Sequence, residues 1–221
     1  MPLIDPETHR VVWDFFIHKF RRFVGVEALK KKVKEDGVVI GEKILKVDGF
    51  LNHQIDAVLM YDIGETFYEQ FKDQGITKIL TVEASGIAPA IMAAYRFEVP
   101  CLFAKKAKPS TLADGFYQTD IHSFTKNKTN RVIISEEFLG ENDRVLIIDD
   151  FLANGDAALG LNRLVEQAGA ETVGIGIVVE KSFQQGRKRL EEAGLKVSSL
   201  CQVASLQGNQ VTLVGEGEEN A

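Results

Sequence analysis

Residues 144–157 read RVLIIDDFLANGDA, and no other stretch constrains the fold as strongly. The uninterrupted apolar run VLII is of the kind that a parallel sheet buries on both faces. It closes on two adjacent carboxylates, Asp149 and Asp150, and a short glycine-containing loop follows. Next comes an amphipathic helix with Ala157, Leu161, Leu164, Val165 and Ala168 on one face and Gly169 as its stop. One acid suffices to cap a helix. Two acids closing a buried strand exceed that need and point to a ligand. The N–H groups of such a loop and of the helix start cradle a phosphate, helped by the helix dipole. Two carboxylates at the strand end accept hydrogen bonds from a vicinal diol or hold a hydrated Mg²⁺. Together these features describe a site for a phosphorylated ribose. Neither GxxxxGK[ST] nor GxGxxG is present, so the run is neither a P-loop nor a dinucleotide fingerprint.

The rest of the chain alternates strands with helices. Apolar strand patterns occupy 76–82 (ITKILTV), 99–104 (VPCLFA), 172–179 (TVGIGIVV) and 196–203 (KVSSLCQV). A charged helix at 27–35 ends in Asp36-Gly37, and residues 38–47 are short apolar pieces. Ile55, Leu59, Ile63, Phe67 and Phe71 recur every four residues with Val58 beside them, which predicts an amphipathic helix closed by Gly75. Further helices are expected from Ile87 to Tyr95, with Pro89 in the first turn, and up to Gly194. Residues 105–130 are polar; 117–125 alternate as a hairpin strand, with 131–135 as partner. This order predicts an α/β fold with a mainly parallel sheet flanked by helices. Ligands then bind beyond the carboxyl ends of the strands, where strand order reverses.

Composition sets the outer bounds. The chain has 221 residues, 45% hydrophobic content and a formal charge of −6, which excludes wholesale disorder. No apolar run approaches the ~18 residues of a membrane span. The start, MPLIDPETHR, is acidic where a secretory signal is basic, so a soluble, cytoplasmic protein is expected. An acidic chain is a poor nucleic-acid binder, so positive charge for an anionic ligand must be local. Lys105, Lys106 and Lys108 supply such a cluster. Cys101 and Cys201 lack metal spacing and read as core thiols in a reducing compartment. The four histidines show no metal spacing either, and His53 is not assigned as a catalytic base. Residues 1–25, with Val11, Val12, Phe15, Phe16, Phe20 and Phe23 among basic groups, form an extension without an assigned role. Residues 26–214 form one domain, and 215–221 an acidic tail.

VLIIDDFLANG resembles the signature by which type I phosphoribosyltransferases bind 5-phosphoribosyl 1-pyrophosphate (PRPP). With LKVDGFLNHQID (45–56), VEASGIAP (82–89) and VVEKSF (178–183), the likeness runs over about residues 27–214. It is to the bacterial branch of that family that acts on xanthine. The resemblance implies the type I phosphoribosyltransferase fold, with a small hood and a flexible loop hairpin. It also implies that Ala153, Asn154, Gly155, Asp156 and Ala157 bind the 5′-phosphate, while Asp149 and Asp150 hold the ribose hydroxyls in catalysis. Glu83, Ala84, Ser85 and Gly86 would face the pyrophosphate. Lys105 and Lys106 would sit on the flexible loop at 105–125, and Leu45, Asn52 and Lys181 would bind the purine.

Lys181 only donates, which suits an oxopurine's 6-carbonyl, whereas Asn52 can donate or accept, so residue type alone does not choose the base. Phe183 suits stacking on the purine and a core role equally. Ala153 and Asn154 stand where many members have Thr or Ser. Phosphate contacts would therefore run through the backbone, and Asp156 should point away. The implied enzyme converts xanthine and PRPP to xanthosine 5′-monophosphate and pyrophosphate, with Mg²⁺ arriving on PRPP, as a homodimer. The alternatives are a phosphoribosyltransferase for guanine, hypoxanthine or adenine, and a non-catalytic PRPP-sensing regulator. Such a regulator would carry a DNA-binding domain ahead of residue 26, where only 25 residues stand.

Overall fold

A computed structural model describes residues 25–106, 115–123 and 128–216. Most of the N-terminal extension, Lys108 and the end of the acidic tail lie outside the described residues. Among them the main sheet has six strands: β3 (Lys78–Val82), β4 (Cys101–Ala104), β7 (Arg144–Leu152), β8 (Glu171–Lys181), β9 (Val197–Ser205) and β10 (Thr212–Leu213). Their spatial order is β10-β9-β8-β7-β3-β4, parallel except for β10. Two antiparallel hairpins stand apart from it: β1 (Val38–Ile40) with β2 (Ile44–Lys46), and β5 (Phe116–Ser123) with β6 (Lys128–Ser135). The helices are α1 (residues 25–35), α2 (Ala57–Phe71), α3 (Ile87–Phe97), α4 (Asp156–Gln167) and α5 (Gly186–Glu192). None is long and apolar enough to cross a membrane.

Strand alternation splits the apolar runs between two cores. Leu146 and Ile148 of β7 face one way, onto a core with Leu59, Ile63, Phe67 and Phe71 of α2. Val145 and Ile147 face the other, onto Leu161, Leu164 and Val165 of α4. The small hood is built from α1, the β1–β2 hairpin and a π-helical turn, Asp48–Asn52. Its Leu29, Val33, Leu45, Phe50 and Leu51 share the first core, so the hood is continuous with the domain. The β5–β6 hairpin is docked along α4. Ile121 meets Gly160, and Arg163 donates from Nε to Thr119 Oγ1 at 3.0 Å and from Nη2 to the Asp120 carbonyl at 3.1 Å.

Several elements differ from the sequence reading, among them the start of β6, which lies at Lys128 and not at residue 131. The Asp56 carboxylate caps α2 by accepting from Leu59 N–H at 3.1 Å, so Ile55 precedes the helix and is exposed, as is Val58 in its first turn. β7 does not end at Ile148 but runs through both aspartates to Leu152. β10, two residues long, adds an antiparallel edge that gives no periodic signal.

The β7 extension matters for the site. β3 pairs with β7 only as far as Leu80↔Ile147, whereas β8 follows β7 to Leu152↔Glu180. Past Ile147 the two central strands part, at the place where strand order reverses. The crevice opens there.

Glycine sets how closely α2 and α3 cross. A Cβ on Gly64 would lie 2.5 Å from the Met92 carbonyl carbon and 2.8 Å from the Ala93 nitrogen, both main-chain atoms. The Arg96 guanidinium pairs with the buried Glu65 carboxylate and lies 4.9 Å from the Tyr68 ring centre across the same contact. Alanine gains about 1 kcal/mol over glycine in a helix interior, but overpacking against rigid backbone costs about 1–3 kcal/mol. Gly64→Ala is therefore expected to destabilise by up to about 2 kcal/mol, read as a lower urea midpoint at unchanged m-value.

Candidate active site

The crevice is a cavity of about 420 Å³ lined by three segments that the sequence reading singled out. Glu83–Gly86 follow β3, Asp149 and Asp150 lie on the extended β7, and Ala153–Ala157 run into α4. Ile121, His122, Asn130 and Val132 of the β5–β6 hairpin form the remaining wall, with Val82, Phe151, Leu152, Ala158 and Lys106.

The segment after β3 is fixed at both ends. Glu83 N–H donates to the Ala104 carbonyl at 3.2 Å, and the Glu83 carboxylate accepts from Lys106 N–H at 2.6 Å. The Glu83–Ala84 peptide bond is cis. Gly86 then opens α3, and only glycine fits there: a Cβ would lie 2.1 Å from Thr81 Oγ1 and 2.9 Å from Asp149 Oδ1. The first turn of α3 thus packs directly on the aspartate pair.

Asp149 is buried and Asp150 half-buried. Asp149 Oδ1 accepts from Asp150 N–H at 3.0 Å. Burial pushes the Asp149 carboxyl well above the usual carboxylate range, and the neighbouring Asp150 charge pushes it further. Burial raises Asp150 as well. The nearby Lys106 ammonium acts in the opposite sense on both carboxyls. Burial outweighs these contacts, and a diol or a cation bound at the pair would add donors or positive charge that offset it.

The loop 153–157 ends in Gly155, at φ +84°, as the residue before α4. Asp156 begins the helix, and its carboxylate accepts from Arg189 Nη1 and Nη2 at 3.2 and 3.1 Å. It is turned toward α5, as its charge required.

The lysines separate. Lys106 lines the cavity, whereas Lys105 does not. Lys105 makes a two-way main-chain bridge with Ile133 at 3.0 Å in each direction, and its ammonium lies 5.8 Å from the Phe103 ring centre, beside a second cavity of about 220 Å³. The Lys105 side chain thus lies beside Phe103 and outside the crevice lining, unlike its expected place beside the pyrophosphate; the main-chain bridge to Ile133, just past β4, fixes its backbone there.

The three purine candidates lie outside that cavity lining. Lys181 ends β8; its Nζ donates to the Lys43 carbonyl at 2.9 Å and stands 5.7 Å from the Phe151 ring centre. Burial lowers its pKa. Phe151 lines the cavity, so Lys181 borders it through that ring. The Leu45 side chain is in the core, which leaves its main chain to meet a base. Asn52 is exposed at the end of the π-helical turn, and Phe183 is exposed beyond β8.

Sequence reasoning missed the hairpin residues that wall the cavity, the buried Glu180 and the α5 arginines. Arg187 Nη2 donates to Glu180 Oε2 at 2.6 Å, and this ion pair ties α5 to β8. Although burial works to raise the Glu180 carboxyl, the Arg187 guanidinium and Ser199 hold it below the usual range. In sequence these arginines belong to the charged run GRKRLEE, which carries no sign of what it touches.

A carboxyl whose pKa is raised in the folded state binds protons that the unfolded chain releases. Its stabilisation is present below the ordinary carboxylate pKa and is lost as pH rises through the raised value. At neutral pH the buried carboxyl pair therefore contributes less to stability than at low pH. Asp149→Asn keeps the acceptor for Asp150 N–H and is expected to stabilise the free protein at pH 7, by on the order of 1–2 kcal/mol or roughly 3–6 °C in Tm. The gain should shrink as pH falls toward 4, about the ordinary carboxylate pKa, a trend that calorimetry across pH can check.

The phosphoribosyl transferase domain family matches residues 53–213. The xanthine phosphoribosyltransferase of Staphylococcus carnosus (strain TM300) is 88% identical over 191 residues, which cover 86% of this chain and 100% of that protein. The protein of the same name from Staphylococcus aureus (strain Newman) is 78% identical over the same shares. Among solved structures, adenine phosphoribosyltransferase from Rhodothermus marinus DSM 4252 superposes with a TM-score of 0.64 at 27% identity, over 81% of this chain and 99% of that one.

Proposed function

The chain belongs to the phosphoribosyltransferase family, and from that premise we propose that it converts xanthine and PRPP to xanthosine 5′-monophosphate and pyrophosphate. One observation carries the reaction class. Asp149 and Asp150 sit in the parted end of the sheet, between a glycine-led helix start at Gly86 and the loop that opens α4. The choice of xanthine is supported by relatives of that name at 78–88% identity; Lys181, a pure donor, suits the 6-carbonyl of any oxopurine and disfavours adenine.

The proposed reaction breaks the bond from ribose C1 to pyrophosphate, forms a bond from C1 to a purine ring nitrogen, and releases that nitrogen's proton. No side chain need bond covalently to the sugar. Residues 153–157 anchor the 5′-phosphate through main-chain N–H groups at the start of α4. Asp149 and Asp150 accept from the ribose hydroxyls and fix C1 in line with the base. The Glu83–Gly86 segment and Lys106 receive the charge that develops on the leaving group. Lys181 orients the base.

Mg²⁺ fits this donor set. Among the described residues no group of three or more acidic, His or Cys side chains could hold a metal alone. A buried and a half-buried carboxylate beside the proposed phosphate site are the partial, all-oxygen set that Mg²⁺ would complete with substrate oxygens and water. Asp149 and Asp150 would hold it, and the ion would neutralise charge on the pyrophosphate. A homodimer and a cytoplasmic location belong to the proposal too, and both rest on the family resemblance.

The first test is nucleotide formation from PRPP and Mg²⁺ with xanthine, guanine, hypoxanthine and adenine in parallel. Xanthine should give the highest kcat/KM. Preference for another base would overturn the base assignment alone. No turnover with any base while PRPP still binds would favour the regulator, whose DNA binding should weaken steeply with salt. Asp150→Asn is expected to lower kcat/KM for PRPP by at least about 100-fold, and unchanged turnover and PRPP affinity would refute its role. Lys181→Ala should raise the KM for xanthine about ten- to hundredfold, with the KM for PRPP within about twofold.

A further inference from the structure

A loop that binds an anion through main-chain N–H groups must turn its carbonyl oxygens the other way. A carboxylate on that loop must also be neutralised. In residues 153–157 both conditions are met largely from α5. The Ala153 carbonyl accepts from Gly186 N–H at 3.0 Å, and the Asn154 carbonyl accepts from Arg189 Nη1. The Gly155 carbonyl accepts from Leu159 N–H at 2.9 Å inside α4. Carbonyl and N–H point opposite ways in a trans peptide. Three held carbonyls therefore leave the N–H groups of Asn154, Gly155 and Asp156 facing the other side. The Asp156 carboxylate meets the same guanidinium, Nη1 at 3.2 Å and Nη2 at 3.1 Å.

The approach of α5 is close enough to exclude side chains. A Cβ on Gly155 would lie 3.2 Å from the Gly186 carbonyl oxygen, and one on Gly186 would lie 2.4 Å from the Ala153 carbonyl oxygen. The helix is itself anchored, because Arg187 also donates to the Val197 carbonyl at 3.2 Å besides its pair with Glu180. Arg189 thus reaches the loop from a fixed base.

We propose that Arg189 is a positioning residue for PRPP binding: it holds the Asn154–Gly155 peptide with its N–H toward the 5′-phosphate and cancels the Asp156 charge that would repel it. This rests on the reading of residues 153–157 as the phosphate loop. Arg189 does not line the cavity and reaches the site only through its contacts with Asn154 and Asp156. Its loss should therefore fall on one substrate and not on the other.

Steady-state kinetics on the full chain test this. Arg189→Met keeps the length of the side chain and removes its charge and donors. The KM for PRPP should rise about ten- to thirtyfold, the effect of losing hydrogen bonds to a charged group. The KM for xanthine at saturating PRPP should stay within about twofold. Arg189→Lys keeps the charge and gives an intermediate rise, and it carries the test alone should Arg189→Met not fold. Adding Asp156→Asn to Arg189→Met should recover part of the loss, because the uncancelled charge is gone.

A purely structural Arg189 would lower Tm and degrade both substrates alike, without recovery by Asp156→Asn, and that result overturns the proposal. Gly155→Ala separates the two levels. If it raises the KM for PRPP while Arg189→Met does not, the phosphate loop stands and the positioning role falls. If neither variant moves that KM, the loop reading itself fails. Should Gly155→Ala not fold, inhibition of the unaltered protein by ribose 5-phosphate but not by ribose answers for the loop.

Discussion

Past Ile147, β7 keeps its ladder with β8 and loses β3, and the site depends on that parting. Two parallel strands that stay paired to their ends leave no room between them. Here β3 turns away at Val82 and β7 continues for five residues past its last β3 partner, to Leu152. Main-chain groups that would have paired across the gap now border a cavity of about 420 Å³. Both walls lead into helices whose first turns face it, α3 after Gly86 and α4 after Gly155. An anionic ligand between two helix N-termini gains from both dipoles. The acidic pair supplies the opposite polarity, suited to hydroxyls and cations. One topological event thus creates both halves of a site for a phosphorylated sugar.

The parting carries a thermodynamic burden. Asp149 is buried with its carboxyl well above the usual range, and Asp150 adjoins it. A fold selected for stability alone would place apolar groups there, as it does two residues earlier at Ile147 and Ile148. The two cores offset the burden. Leu146, Ile147, Ile148, Val178 and Val179 are fully buried, each worth about 1.5–3 kcal/mol of transfer free energy. A strained electrostatic site is sustainable because the strands that carry it are apolar on both faces up to the point where the acids begin.

That contrast explains what the sequence made legible. VLII followed by DD told of a buried strand meeting a ligand, because apolar runs and paired acids are local signals. The loop and helix at 153–168 followed from glycine and helical spacing in the same way. Strand length did not follow. The β7 extension is stabilised by β8 alone, a long-range pairing that leaves no mark in the run DDFL. Nor did the fate of the lysines follow. Lys105 and Lys106 are adjacent, yet the bridge to Ile133 commits one to the Phe103 side while the other lines the cavity. The hairpin residues Ile121 and Val132 were legible as a hairpin but not as a wall, because their docking on α4 depends on Gly160 admitting Ile121.

The base end of the site obeys a different rule from the phosphate end. In the proposed phosphate loop the carbonyls of residues 153–155 are already occupied, so the loop would receive an anion without giving up those bonds. Lys181, the proposed base contact, is held too: its ammonium donates to the Lys43 carbonyl in the β1–β2 turn. An oxopurine carbonyl offers the same kind of acceptor. Binding therefore exchanges one carbonyl partner for another, and the net gain comes from the difference between them and not from a new bond. Half-burial makes that difference larger, because an ammonium withdrawn from water depends more on its remaining partners. A base presenting an amino group at the same place offers no acceptor, and Lys181 would then keep the Lys43 carbonyl and leave the base unpaired. In the proposed site, discrimination by this lysine would therefore arise from a competing contact within the protein, without any change in the half of the crevice proposed for PRPP.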